Sequence, residues 1–134
     1  MKYRRFGKTG LQVPVFTFGA MRIPGVPEDE ALRTIFRAVE LGITHLETAR
    51  GYGSSEELLG KAMPHLPREE LIITTKIPPT ETADEMRRCI EESLRRMNIS
   101  RIDNFDLHGI NTPELLERSV RKGGCLDAVR RAQD

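Results

Sequence analysis

HLETARGYGSSEELLG, residues 45–60, is the stretch on which the fold turns. His45 to Glu47 reads as a short buried strand ending on a carboxylate, and Gly51-Tyr52-Gly53 as a glycine-bracketed turn that presents a tyrosine. Ser54 and Glu57 stand at capping-box spacing, opening a helix whose inner face is Leu58, Leu59, Ala62 and Met63. Strand, turn and helix make one βα unit. In parallel α/β proteins the chemistry gathers at the carboxyl ends of the strands, where loops vary and strands stay rigid. Glu47 and Tyr52 occupy that position.

The same unit recurs on both sides. Upstream, Lys2–Phe6 and Leu11–Val13 flank Gly7-Lys8-Thr9-Gly10, the signal of a hairpin that could form a small lid or plug. Val15–Phe18 reads as a short buried strand, and the small residues of Gly19-Ala20-Met21-Arg22 leave backbone open to close approach. Leu32, Ile35, Phe36 and Val39 then fall on one face of a helix predicted from Glu28 to Leu41, stopped by Gly42 before a second strand over Ile43–Glu47.

Downstream, Leu71–Lys76 is β-branched and short, a third buried strand. Thr82 and Glu85 form a second capping box, opening a helix faced by Met86, Cys89, Ile90, Leu94 and Met97 as far as Asn98. Ile102–Leu107 is a fourth strand, ending at His108. Thr112-Pro113 opens a last helix that breaks at Gly123-Gly124 and resumes with Leu126, Ala128, Val129 and Ala132. Strand and helix thus alternate four times, the rhythm of a parallel sheet with right-handed crossovers.

Three successive strands end on Glu47, Lys76 and His108, and the loop after the first carries Tyr52, so four titratable groups share one rim. A phenol beside an ammonium has its phenolate favoured, which moves it toward use as a general acid. A carboxylate beside the lysine keeps the ammonium charged and placed, and a histidine can hydrogen-bond and orient a carbonyl oxygen. The set suits protonating a carbonyl oxygen as its carbon accepts a hydride. Taken singly, each residue also has an ordinary reading: Glu47 as a charge for the next helix, Lys76 as a strand-end cation, His108 as a satisfied turn histidine, Tyr52 as a loop aromatic. Thr74 and Thr75 read as strand residues, His45 and His65 as structural, and Glu56 and Glu57 as helix capping and a solvated face.

Composition removes other classes. Lys and Arg number 21 against 20 Asp and Glu, in scattered pairs, and with two Tyr and no Trp there is no aromatic-interleaved basic patch for nucleic acid. Cys89 and Cys125 have neither disulfide-framework nor metal-ligand spacing, which predicts no metal site and a reducing, cytoplasmic setting. No stretch has the length of a signal peptide core or a membrane span.

YRRFGKTGLQVP at the start, then ETARGYGSSEELLG, ITTKIPP and DNFDLHG, resemble in order and spacing the amino-terminal half of the aldo/keto reductase family. The resemblance implies a (β/α)8 TIM barrel that transfers hydride from NADPH to a small-molecule aldehyde or ketone. By position, Tyr52 would be the proton donor, Lys76 its activator, His108 the residue orienting the carbonyl, and Glu47 the carboxylate of the tetrad. Gly19, Ala20 and Met21 would approach the nicotinamide end of the cofactor. Glu47 departs from the family's usual aspartate, so its contact with Lys76 must be rebuilt or its role changed; ETARGYG with glutamate resembles a subgroup of longer members, some with a carboxy-terminal ferredoxin-like extension.

A complete barrel needs about 200 residues or more, and the chain has 134. The expected fold is therefore α/β, a partial TIM barrel of four βα units preceded by a short β-hairpin, with residues 1–134 one incomplete domain. The expected function is that of an amino-terminal aldo/keto reductase fragment with little activity alone, because the grip on the cofactor phosphates resides in the other half. Two alternatives stand beside it: a half-barrel enzyme that pairs with itself or with a separate second half, and a non-catalytic scaffold. A half-barrel is expected to leave two unpaired strand edges and an uncovered apolar concave face, an aggregation hazard.

Overall fold

The computed structural model describes residues 1–133. Strands β1 (Tyr3–Arg5) and β2 (Gln12–Pro14) pair antiparallel as a separate hairpin. Its turn uses Gly7 at φ +54° and Gly10 at φ +82°, a left-handed conformation that glycine adopts without a Cβ penalty.

Four parallel strands follow in the spatial order β3 (Phe18–Gly19), β4 (His45–Glu47), β5 (Ile72–Ile77), β6 (Asn104–Leu107). Helix α1 (Glu28–Glu40) connects β3 to β4, α2 (Ser55–Ala62) connects β4 to β5, and α3 (Ala83–Met97) connects β5 to β6. After β6 come α4 (Pro113–Val120) and α5 (Cys125–Arg131), separated at Gly123-Gly124. This is a half barrel of four βα units with an amino-terminal hairpin. Among the described residues, no helix is long and apolar enough to cross a membrane.

The first strand lies later than the sequence predicts. Val15 and Phe16 are exposed, and the Val15 amide donates to the Lys2 carbonyl at 2.9 Å, so the hairpin keeps these residues and the sheet begins only at Phe18. Helix starts also differ. At α3 the capping box forms, Glu85 N donating to Thr82 Oγ1 at 3.2 Å and Thr82 N to Glu85 Oε2 at 3.3 Å. At α2 it does not. Ser54 sits at φ −84°, ψ 16°, outside the extended region from which a cap side chain reaches back, and makes no side-chain cap bond.

Parallel register assigns the faces. Leu46 aligns with Phe18 and Ile73, and these outward residues pack under Ile35, Leu59 and Met97 of the helices. A second cluster joins Ile77, Phe105 and Leu107 to Met86, Ile90 and Cys125. Ile35, Leu46, Leu59 and Ile73 are fully buried, each contributing about 1.5–3 kcal/mol of transfer free energy. Helices α2 and α3 meet at Gly60, where an added Cβ would lie inside the contact distance of the Arg96 carbonyl oxygen and 3.1 Å from the Met97 carbonyl carbon.

The opposite, concave face is not apolar as expected. One row across it reads Gly19, Glu47, Thr74, Asn104, and the next pairs Lys76 with Asp106. Alternation within β5 hides this in the sequence, because Ile73, Thr75 and Ile77 face the helices while Thr74 and Lys76 face inward. At the strand-start end the hairpin covers the face: the Phe6 ring lies 6.2 Å from that of buried His45, which bridges Thr17 Oγ1 at 3.1 Å and Thr74 Oγ1 at 2.8 Å.

Candidate active site

The rim at the strand ends is built from the middle outward. Lys76, next to last in β5, extends along the concave face, its side chain 15% exposed. Its Nζ forms an ion pair with Glu47 Oε1 and donates to the Thr48 carbonyl at 2.9 Å. Glutamate thus reaches the lysine across neighbouring strands. Burial lowers the Lys76 pKa from the ordinary value of 10.5, and the Asp106 carboxylate works in the opposite direction.

Tyr52 is held by a tight loop. Arg50 N donates to the Lys76 carbonyl at 2.9 Å, Tyr52 N to the Ala49 carbonyl at 3.0 Å, and Ser55 N to the Tyr52 carbonyl at 3.1 Å. Gly53, at φ +56°, turns the chain into α2 against Pro24. Ser55, fully buried, meets Thr48 Oγ1 at 2.7 Å and donates to the Ala20 carbonyl at 2.9 Å, so the loop is tied to both neighbouring strand ends.

The Lys76 ammonium lies over the face of the Tyr52 ring, Nζ 4.8 Å from the centroid, and the His108 ring meets the Tyr52 ring edge-on at 5.6 Å. Among the described residues Tyr52 Oη makes no hydrogen bond, which leaves it able to donate to a bound molecule. His108 is placed by its own amide, bonded to the Ile77 carbonyl at 2.8 Å, and by Gly109, whose φ of +75° turns the chain away. The structure therefore brings Glu47, Tyr52, Lys76 and His108 to one rim.

The first loop divides. Gly19 aligns with Glu47, and a Cβ there would meet only Glu47 Oε2, at 3.9 Å. The loop predicted at Ala20 and Met21 is a 3-10 helix, Ala20–Gly25; Ala20 is fully buried in the core while Met21 is exposed. Of Gly19, Ala20 and Met21, only the Gly19 backbone and the Met21 side chain are open to a ligand.

Three acidic residues were read otherwise or not at all from the sequence. Asp106 shares the concave face with Lys76, a placement that counting back by twos from His108 would have found. Glu56 is not solvated: it is fully buried, accepting from Thr75 Oγ1 at 2.8 Å. It lies on the helical face of Leu59, Gly60 and Met63, at spacings of three, four and seven, which was the available signal. Glu57, half-buried, caps nothing and lies 3.5 Å from Arg96 Nε. A groove of about 540 Å³ lined by Phe36, Val39, Glu40, His65, Leu66 and Pro67 shares no residue with the rim.

The model of the aldo/keto reductase family matches residues 16–120. L-Galactose dehydrogenase of Arabidopsis thaliana is 34% identical over 123 residues, covering 82% of this chain and 39% of that protein. L-Glyceraldehyde 3-phosphate reductase of Escherichia coli K12 is 35% identical over 151 residues, covering 94% of this chain and 44% of that protein. A solved putative aldo-keto reductase from Pseudomonas aeruginosa superposes with a TM-score of 0.82 at 32% identity, over 96% of this chain and 54% of its own. The chain thus spans roughly two fifths to a little over half of the proteins it matches.

Proposed function

The chain belongs to the aldo/keto reductase family, and from that membership we propose that it carries the proton-delivering site of an NADPH-dependent carbonyl reductase. The observation that carries the reading is the packing of Lys76 over Tyr52, with Glu47 and His108 in contact with the pair.

Members of the family use a nicotinamide cofactor. The residues at the rim fit its flat end, since the glycine at position 19 leaves the sheet bare beside Glu47. When bound, that group supplies the hydride to the carbonyl carbon. Tyr52 Oη gives its proton to the carbonyl oxygen, and the resulting phenolate is met by the Lys76 ammonium. Glu47 holds that ammonium in place, and His108 donates to the same carbonyl oxygen and fixes its direction. The products would be an alcohol and the oxidised nicotinamide cofactor, and the tyrosinate regains its proton from water. The substrate class is a small aldehyde or ketone.

Turnover by this chain alone is expected to be slow, because in such barrels phosphate groups are held mainly by loops after the seventh and eighth strands. The test is NADPH oxidation, followed at 340 nm with concentrated chain and a short-chain aldehyde. Tyr52→Phe is expected to lower the rate by about a hundredfold or more, the contribution of a positioned general acid. An equal rate in Tyr52→Phe would overturn the reading.

A further inference from the structure

Glu56 is a carboxylate with no solvent exposure, set between α2, β5 and α3. Burying a charge is costly unless it is paired and bonded. Its Oε1 takes the Thr75 hydroxyl at 2.8 Å, while Oε2 has no hydrogen bond and faces Arg96 Nη1 at 3.6 Å. Nothing in the proton delivery described above uses it.

Followed outward, its contacts close a ring. Arg96 Nη2 donates to Glu92 Oε1 at 2.7 Å, and the other oxygen of Glu92 takes the Arg50 guanidinium. Arg50, then Arg96, holds the Glu92 carboxyl below its usual range. Arg50 lies two residues before Tyr52, and its backbone amide bonds to the carbonyl of Lys76, the residue after Thr75. The ring therefore runs from the flank of the tyrosine through Glu92, Arg96, Glu56 and Thr75 to the flank of the lysine and back. The close approach of α2 and α3 at Gly60 fixes Arg96 in it.

We propose that Glu56 is a positioning residue, which through Thr75 on one side and Arg96, Glu92 and Arg50 on the other sets the Tyr52 ring against the Lys76 ammonium. The proposal rests on the roles assigned above to Tyr52 and Lys76. It explains why a carboxylate stands where packing alone would favour an apolar side chain: a hydrocarbon at position 56 could fill the space but could not tie strand to loop.

The chain has two tyrosines and no tryptophan. In a Tyr3→Phe background labelled with 3-fluorotyrosine, the single 19F line reports Tyr52 whether or not the chain turns over. Glu56→Gln and Thr75→Val are each expected to shift or split that line, while Glu28→Gln, at an exposed position at the start of α1, leaves it in place. Where carbonyl reduction is measured, both variants should lower kcat on the order of tenfold to a hundredfold with KM near its original value, as for a small misplacement of a reacting group. An unmoved line in both variants, with far-UV circular dichroism retained, overturns the proposal, as does an equal movement in Glu28→Gln. If Glu56→Gln does not fold, Thr75→Val decides. A line that moves in a chain showing no carbonyl reduction supports the ring and counts instead against the proposed chemistry.

Discussion

Lys76 approaches Tyr52 through the face of the ring, 4.8 Å from its centroid, and not by a hydrogen bond to the phenol oxygen. An ammonium held there by Glu47 and the Thr48 carbonyl is attracted to the ring quadrupole and lies within reach of any negative charge that develops on the oxygen. This places a largely buried cation at the centre of the rim, with a consequence for stability. Burial lowers the Lys76 pKa below the 10.5 of an unfolded lysine, so between those two values the unfolded chain binds the extra proton. Relative to Lys76→Met, the wild-type chain should therefore gain stability as pH rises through that window and show a flat difference below it. Urea unfolding of both proteins between pH 7 and 10.5 checks this; a difference that falls with rising pH would contradict it.

His45 produces the acid-side counterpart. Burial under the hairpin lowers its pKa below 6.5, against the pull of Asp106 and Asp103. The unfolded imidazole takes up a proton first, so the stability His45 supplies is complete above pH 6.5 and is lost as pH falls through the folded-state value. His45→Gln should flatten the loss measured by urea midpoints between pH 7.5 and 5, leaving the carboxylate contribution to acid denaturation in place.

Gly60→Ala should be among the most damaging single-methyl changes in the chain. The new Cβ meets backbone of α3, the Arg96 carbonyl and the Met97 carbonyl carbon, neither of which can rotate away. Overpacking of this kind costs about 1–3 kcal/mol and sometimes more. Chemical denaturation measures it, and a loss below about 0.5 kcal/mol, the range of ordinary surface changes, would mean that α2 and α3 separate easily.

The two capping-box sequences should respond differently. Thr82→Ala removes a bond to Glu85 N that is present in the structure and should cost about 1 kcal/mol, whereas Ser54→Ala should stay within about 0.5 kcal/mol, since Ser54 caps nothing. Thermal or urea unfolding of the two variants makes the comparison directly.

That contrast marks how far the sequence can be read. Helices α1 and α3 were legible because a long amphipathic face needs no knowledge of its partner, and the rim was legible because Glu47, Lys76 and His108 each lie at or next to the carboxyl end of a separate strand. Local signals failed where the outcome depends on distant residues. Ser54 and Glu57 have capping spacing, but the backbone at Ser54 is set by the turn that presents Tyr52. Glu56 looks like an exposed helix-start carboxylate until Thr75 and Arg96 are brought to it. Val15 and Phe16 look like a buried strand, yet a backbone bond to Lys2 holds them in the hairpin.

The concave face also changes how a growing chain would behave on the ribosome. Barrels are synthesised one βα unit at a time, and a partly made barrel with an oily inner wall would stick to its neighbours before the remaining units arrived. In these four units the oily side of the sheet is covered by helices made in the same stretch of synthesis, and the side awaiting company carries Glu47, Asn104, Lys76 and Asp106. Water is an adequate partner for such a wall, so the inner face of these four units does not need an apolar cover to meet solvent.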